Sequence, residues 1–383
     1  MSDTTLPGDA REAPQAKVQE GIGLCLSGGG FRATLFNLGS LWRLNDSGVL
    51  PKLRMVTSVS GGSITSGVLA TAWKQLAFDA SGVSPRFKDL VARPLQEFCR
   101  RDIAIPAAVW GMVNPFKSIG DEMVGFYEDL FGKKTLQDLP ADAAPDFVFY
   151  ATNLQTGASV RMHRRYLADY RIGLIPNPKI RLAQAVAASS AFPPVLSPQC
   201  IDLDPGLWQP IEGAEADLPA EIKNHMVLTD GGVYDNMGLE AVFDRWSTVL
   251  VSDAGAPLKI EASPHTDWTR QLVRVMDIIT DQTRALRKRW LVRDFQAGER
   301  RGTYWGIRTQ VASYELPDPM VRDSDITRQL ASIRTQLDPF TPEEQGHLIN
   351  WGYALCDTAL RRWVPELANT PKPVALPIPE FPI

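Results

Sequence analysis

The stretch RMVTSVSGGSITSGVLA (Arg54 to Ala70) sets a serine between a run of strand-formers and a pair of glycines, with a helix-like pattern following at once. A serine hydroxyl is a weak nucleophile unless it is lifted clear of the backbone, set beside a base and faced by donors for an oxyanion. A strand-to-helix corner with small residues two places before and two places after the serine meets the first requirement. Here the frame reads Ser58-Val59-Ser60-Gly61-Gly62, with serine in place of the first glycine. Ser60 fits it better than its neighbours: Ser58 has Val56 and Ser60 at the flanking places, and Ser63 has Gly61 and Thr65. On this motif alone an ordinary Gly-Ser turn stands as the alternative.

The run SGGGFR (Ser27 to Arg32) supplies the third requirement. Glycines between a buried strand and a helix start present open N–H groups to an anion, and the helix dipole points the same way. Gly28, Gly30 and Ala33 also satisfy a dinucleotide fingerprint. The ribose-binding acid expected about 20 residues later is missing, however, and Ser58 and Ser60 stand there instead. For the base, LTDGGVYDN offers Asp230 at the end of an apolar strand, followed by two glycines that allow another group to come close. A lone carboxylate can take the serine proton if it is held within reach. A turn-forming Asp-Gly is the competing reading, and SDAG at Asp253 has the same form. The four histidines (His163, His225, His265, His347) share no motif. A Ser-His-Asp triad would have to recruit His265 or His347 after Asp230 or Asp253.

These residues need a parallel sheet beneath them. GIGLCL, the glycine turn, a helix carrying Leu35, Leu38, Leu41, Trp42 and Leu44 and stopped near Gly48, and the strand RMVTSV form one βαβ unit. Residues 72 to about 145 read as a mainly helical insertion. A strand pair follows in DFVFYATNLQTGASVRMH, with a turn near Thr156-Gly157, and HMVLTDGG and STVLVSDAG read as buried strands. A long amphipathic helix runs from Asp267 to about Phe295, with Leu272, Val275, Met276, Ile279, Leu286 and Trp290 on one side. Residues 1–20 read as a flexible tail, 21–370 as one catalytic domain, and the proline-rich 371–383 as an extended tail. The segment Ile103 to Phe116 is apolar but too short and proline-broken to span a bilayer, so it is either core or an interfacial lid anchored by Trp110. The basic residues Arg284, Arg287, Lys288, Arg289 and Arg293 form either a solvated helix face or a surface for anionic headgroups.

With 383 residues, 44% hydrophobic content and a net charge of −4, the chain has ample material for a core and no basic excess that would favour a nucleic-acid partner. The four scattered cysteines form neither a CxxC pair nor a zinc pattern and read as reduced thiols. No stretch has the length of a membrane span, and the polar start lacks a secretory pattern, so the expected compartment is cytoplasmic.

Taken together, SGGGFR, SVSGGS, ASSAFPPVLSP and DGGVYDN resemble the patatin-like phospholipases, whose four blocks occur in this order. The resemblance implies an α/β class fold, a three-layer α/β/α sandwich with a mainly parallel central sheet and a helical insertion. It implies a Ser-Asp dyad that hydrolyses acyl esters of phospholipids or related lipids with no metal or other cofactor, and peripheral contact with a membrane. Carried over by motif, Ser60 is the nucleophile, Asp230 the base, and the backbone of Gly28, Gly29 and Gly30 the oxyanion hole. Arg32 takes the basic place after the glycines, with helix packing or phosphate contact as its role. ASSAFPP (Ala188 to Pro194) shapes the loop beside the dyad. Ser27, Ala33, Ser58 and Gly238 depart from the usual family pattern and leave the subfamily open, while no reacting group is lost. A lipid- or partner-binding protein without activity is the non-enzyme rival.

Overall fold

The computed structural model describes residues 18–103, 119–142, 144–255, 258–368 and 375–383. The expected βαβ unit is present as β1 (Gln19–Leu26), α1 (Gly30–Asp46), β2 (Leu53–Ser58) and then α2 (Gly61–Ala72). β1 begins two residues inside the expected tail. β3 (Asp146–Asn153) and β4 (Ser159–His163) form the expected strand pair, and two short strands, β5 (Tyr166–Asp169) and β6 (Gly173–Pro176), continue it antiparallel. β7 (Gln199–Asp202) pairs with β8 (His225–Asp230), and β9 (Trp246–Asp253) and β10 (Arg301–Gly306) close the other side. The path β10-β9-β1-β2-β3 is parallel throughout, and β4-β5-β6 extend it antiparallel.

The strands read as unbroken apolar runs because both sheet faces are buried. Leu24, Leu26, Val56, Phe147, Phe149 and Leu250 point into a large core that includes α1 and α2. Their alternating neighbours Cys25, Met55, Val148, Tyr150, Val249 and Val251 point into a smaller one. α1 packs along the long helix Pro342–Trp363, which itself reaches the end of β10, where Trp351 Nε1 donates to the Ile307 carbonyl at 2.8 Å. The two helices touch backbone to backbone: a Cβ on Gly39 would fall 1.9 Å from the Ile349 carbonyl, and one on Gly352 2.0 Å from that of Phe36. A buried ion pair, Arg43 Nε to Asp357 at 2.9 Å, crosses the same contact.

The described part of the insertion carries short helices joined by turns, with α3 spanning Ile119–Phe131. Ile103 is buried, while residues 104–118, including Trp110 and nearly all of the lid candidate, lie outside the described residues. α4 (Leu182–Ser189) leads into the ASSAFPP loop. α5 (Trp268–Ala297) is the expected long helix, but its apolar side faces outward: Leu272, Ile279 and Leu286 are each more than half exposed. The end of the proline-rich segment is tied down, because Asn350 Nδ2 donates to the carbonyls of Ile378 (2.8 Å) and Phe381 (2.7 Å). No helix among the described residues is long and apolar enough to cross a membrane.

Candidate active site

The topology brings two strand ends together. β2 pairs with the first half of β3, up to Ser58 opposite Phe149, and then departs at the Ser60 corner. β8 runs the other way along the same edge of β3, with Asp230 opposite Ala151. The chain that leaves β2 and the chain that ends β8 therefore meet head to head. This is how residues 170 positions apart come to share a site.

Ser60 sits in a backbone conformation that side-chain-bearing residues rarely adopt, φ 51° and ψ −122°. Such a geometry costs on the order of 1–3 kcal/mol and persists only where its surroundings impose it. Here the Ser60 amide donates to both the carbonyl (3.1 Å) and the hydroxyl (3.0 Å) of Ser189. The Ser60 carbonyl accepts from Ser63 (2.8 Å) and Ile64 (3.2 Å), which starts α2. Gly61 and Gly62 are required by proximity, since a Cβ on either would fall 2.0 Å from the Gly30 carbonyl or 2.3 Å from that of Leu26. Ser58, in the place of a glycine, is absorbed into a hydroxyl chain: it accepts from Ser63 at 3.0 Å, and Ser63 meets Ser189 at 2.8 Å.

Asp230 is almost fully buried. Its Oδ1 accepts from the Gly232 amide at 2.7 Å, and its Oδ2 lies out of solvent without a well-formed hydrogen bond. Burial pushes its pKa up to about 7, against the stabilising effects of the Gly232 amide and the nearby Ser60 hydroxyl. A loose, imperfectly aligned contact between hydroxyl and carboxylate is the usual state of a hydrolytic pair without substrate. The ASSAFPP loop holds both partners: the Ser189 carbonyl also accepts from Gly231 at 3.3 Å, and the Ala191 carbonyl accepts from the Asp230 amide at 2.9 Å. Tyr127 of α3 reaches the same loop through Ser190 at 2.8 Å, so the insertion braces the site. Phe192 within the loop and Val195 just after it leave apolar surface exposed.

The glycine run lies against the corner, with a Cβ on Gly28 falling 3.0 Å from that of Ser60. The Gly28 amide, however, donates to the Asn236 carbonyl at 3.0 Å, which corrects the expectation that it faces an oxyanion. The amides of Gly29 and Gly30, and that of Gly61 at the start of α2, have no acceptor among the described residues. Asn236 is the residue that sequence reasoning missed. Its side chain fills the space between Gly28, Gly232 and Gly255, within 2.5–3.0 Å of a Cβ built on each. Its signal was present in DGGVYDN, where a polar side chain follows one helical turn (Gly232–Asp235) after the aspartate.

Arg32 does not offer itself to a substrate. It is 1% exposed, its guanidinium donates to the carbonyls of Ala331 (3.3 Å), Ile333 (3.0 Å) and Ala254 (2.5 Å), and burial lowers its pKa to about 10. The packing role is the one its contacts support, because a buried guanidinium must spend its donors on whatever carbonyls surround it. None of the four histidines hydrogen-bonds Ser60 or Asp230. His163 faces Asp146 at 3.2 Å, His225 faces Asp202 at 2.6 Å, His265 lies beside Arg270, and His347 packs on Phe381.

A strained serine at a strand-to-helix corner, a buried carboxyl beside it and a glycine loop against both belong to a hydrolase-type site. Residues 24–243, more than half of the chain, match the family model described as patatin-like phospholipase, and the chain belongs to that family. Among solved structures it is similar to human GIVD cytosolic phospholipase A2, with 12% identity over 88% of this chain and 58% of that one, at a TM-score of 0.52. The complex of that protein with methyl gamma-linolenyl fluorophosphonate gives 16% identity over 88% and 57%, at 0.51. At such identities the likeness concerns the fold, and the chain spans under three fifths of the length of those structures. Comparison with curated proteins gave no match.

Proposed function

We propose that the chain is a serine lipid acyl hydrolase that cleaves acyl ester bonds of phospholipids or related lipids, working from the cytoplasm at a membrane surface. The observation that carries this reading is the pairing of Ser60, held at φ 51°, with a buried Asp230 whose pKa stands near 7 and whose second oxygen lacks a firm partner. Asp230 takes the hydroxyl proton as Ser60 Oγ bonds to the ester carbonyl carbon. The amides of Gly29 and Gly30 stabilise the oxyanion, and the leaving alcohol departs with the proton from Asp230. Water then adds to the acyl-serine, gives its proton to Asp230, and the fatty acid leaves as Ser60 recovers its hydrogen. Charge stabilisation by fixed backbone donors is the kind of contribution worth several kcal/mol in such sites.

The experiment is Ser60→Ala with an active-serine fluorophosphonate probe and a short soluble ester. Labelling and turnover should both vanish while the unfolding midpoint holds, because alanine removes only the hydroxyl. Label retained, or moved to Ser58 or Ser63, would overturn the assignment of Ser60.

A further inference from the structure

α5 is about 45 Å long at 1.5 Å per residue, yet only Leu291 and Asp294 of its 30 residues are buried. Its inner side is held by its C-terminal half: Arg284 faces Asp253 at 3.8 Å, Arg287 reaches Glu240 at 3.1 Å, and Lys288 lies 4.2 Å above the Tyr304 ring. Trp268, Leu272, Val275, Ile279, Leu286 and Trp290 recur at spacings of three, four and seven and form one outward stripe, from 43% to 77% exposed. On a helical projection this stripe lies roughly opposite the anchored side. Apolar side chains arranged this way on a helix, outside any core, mark a surface that meets another apolar phase.

We infer that the outward face of α5 docks the protein on an anionic phospholipid surface; only the choice of lipid as occupant rests on the hydrolase reading. Charge selects this occupant. The helix carries seven basic and three acidic residues, a net +4, in a chain whose net charge is −4. Arg289 and Arg293 flank the stripe, are exposed, and form no ion pair among the described residues. Trp268 stands 77% exposed at one end of the stripe, and indole favours the boundary between water and acyl chains, while Trp290 at the other end packs one face on Phe243 at 4.2 Å. A second copy fits less well. Parallel pairing through the stripe would set Arg289 and Arg293 against themselves. The position also suits access, because Asp253 and Tyr304 place α5 beside the carboxyl ends of β9 and β10, the same sheet edge at which Ser60 sits.

The test uses the full chain, vesicles of phosphatidylcholine with and without phosphatidylserine, and a soluble ester. Wild type should sediment with the serine-containing vesicles and be released by salt. R289Q/R293Q should bind roughly thirtyfold more weakly, at about 1 kcal/mol for each basic residue at an anionic surface. L272Q/I279Q/L286Q should lose vesicle binding while its unfolding midpoint and its hydrolysis of the soluble ester stay at wild-type level. Equal vesicle binding by both variants and wild type overturns the inference. So does a stripe variant that turns a dimer into a monomer with vesicle binding intact, because the stripe would then be a self-association face. Wild type that hydrolyses the ester but never binds vesicles also sinks the docking and spares the hydrolase reading. Binding without any ester hydrolysis does the reverse.

Discussion

β8 and β9 end alike, in Thr229-Asp230-Gly231-Gly232 and Ser252-Asp253-Ala254-Gly255, and their aspartates make the same local turn. Asp230 Oδ1 accepts from the Gly232 amide at 2.7 Å, and Asp253 Oδ1 from the Gly255 amide at 2.8 Å. The second oxygen separates them. Asp253 Oδ2 accepts from the Tyr304 hydroxyl at 2.6 Å, with Arg284 nearby. Burial pushes the pKa of Asp253 up, but Arg284, Tyr304 and the Gly255 amide together override it, and the net direction is down. Asp230 has no cation among the described residues to offset its burial, and its pKa rises to about 7. A carboxylate becomes a candidate base here because charge compensation is withheld, and a structural group where it is supplied.

Exchange of each charge separates the two roles. Asp230→Asn should lower kcat for a soluble ester by roughly a thousandfold, within the range for losing a general base. The stability of that variant should rise. Above pH 7 the folded protein holds an ionised Asp230 that the unfolded chain solvates better, a cost of a few kcal/mol that asparagine removes. Denaturant unfolding should show the gain at pH 8, its decline as pH falls from about 7 towards the ordinary 3.8, and its disappearance in stronger acid, where the carboxyl is protonated in both states. A variant that keeps its rate, or a folded His265 or His347 variant that loses it, would move the base elsewhere.

Asp253→Ala should do the opposite: destabilise by about 3 kcal/mol, by leaving the Tyr304 hydroxyl and the Arg284 guanidinium short of a buried acceptor. Because its folded pKa lies below the ordinary 3.8, the stabilisation is present above that value and is lost as pH falls through the lower one. The deficit should therefore persist from pH 7 down to about 4 and close only in stronger acid. The rate of the fraction that remains folded should be little changed. The wild-type pH–rate profile completes the contrast: kcat/KM for the soluble ester should rise with a midpoint near pH 7, as Asp230 loses its proton, and level above it.

The parts of the site that depend on neighbours in the chain were legible before the fold was known. The corner at Ser60, the glycine loop one βαβ unit earlier and the aspartate ending an apolar strand all follow from short-range pattern. What depended on distant partners was not. Nothing near Gly28 announces that its amide is taken by Asn236, and nothing near Arg32 shows that carbonyls from residues 254, 331 and 333 enclose it. Periodicity identified α5 as a helix but could not say which way its apolar side faces. α1 makes the point from the other direction, since a similar pattern there lies buried against the sheet and the helix Pro342–Trp363. The strands β5, β6 and β7 are four residues long, too short to stand out without the partners they pair with.

The smallest expected effect tests whether the two aspartates are tuned independently. Tyr304→Phe keeps the ring under Lys288 and removes only the hydroxyl that Asp253 Oδ2 accepts. Loss of one charge-assisted hydrogen bond should cost about 1–2 kcal/mol at pH 7. It should also raise the pH at which acid unfolding sets in, because the fold starts less stable and Asp253, without the hydroxyl that helps hold its pKa down, takes up its proton at a higher pH. The pH–rate midpoint assigned to Asp230 should not move, since neither Tyr304 nor Arg284 is among the groups that shift it. A midpoint that follows the acid-unfolding curve would mean that one network titrates both carboxylates, and the contrast between the two strand ends would then have to be redrawn as a coupled pair.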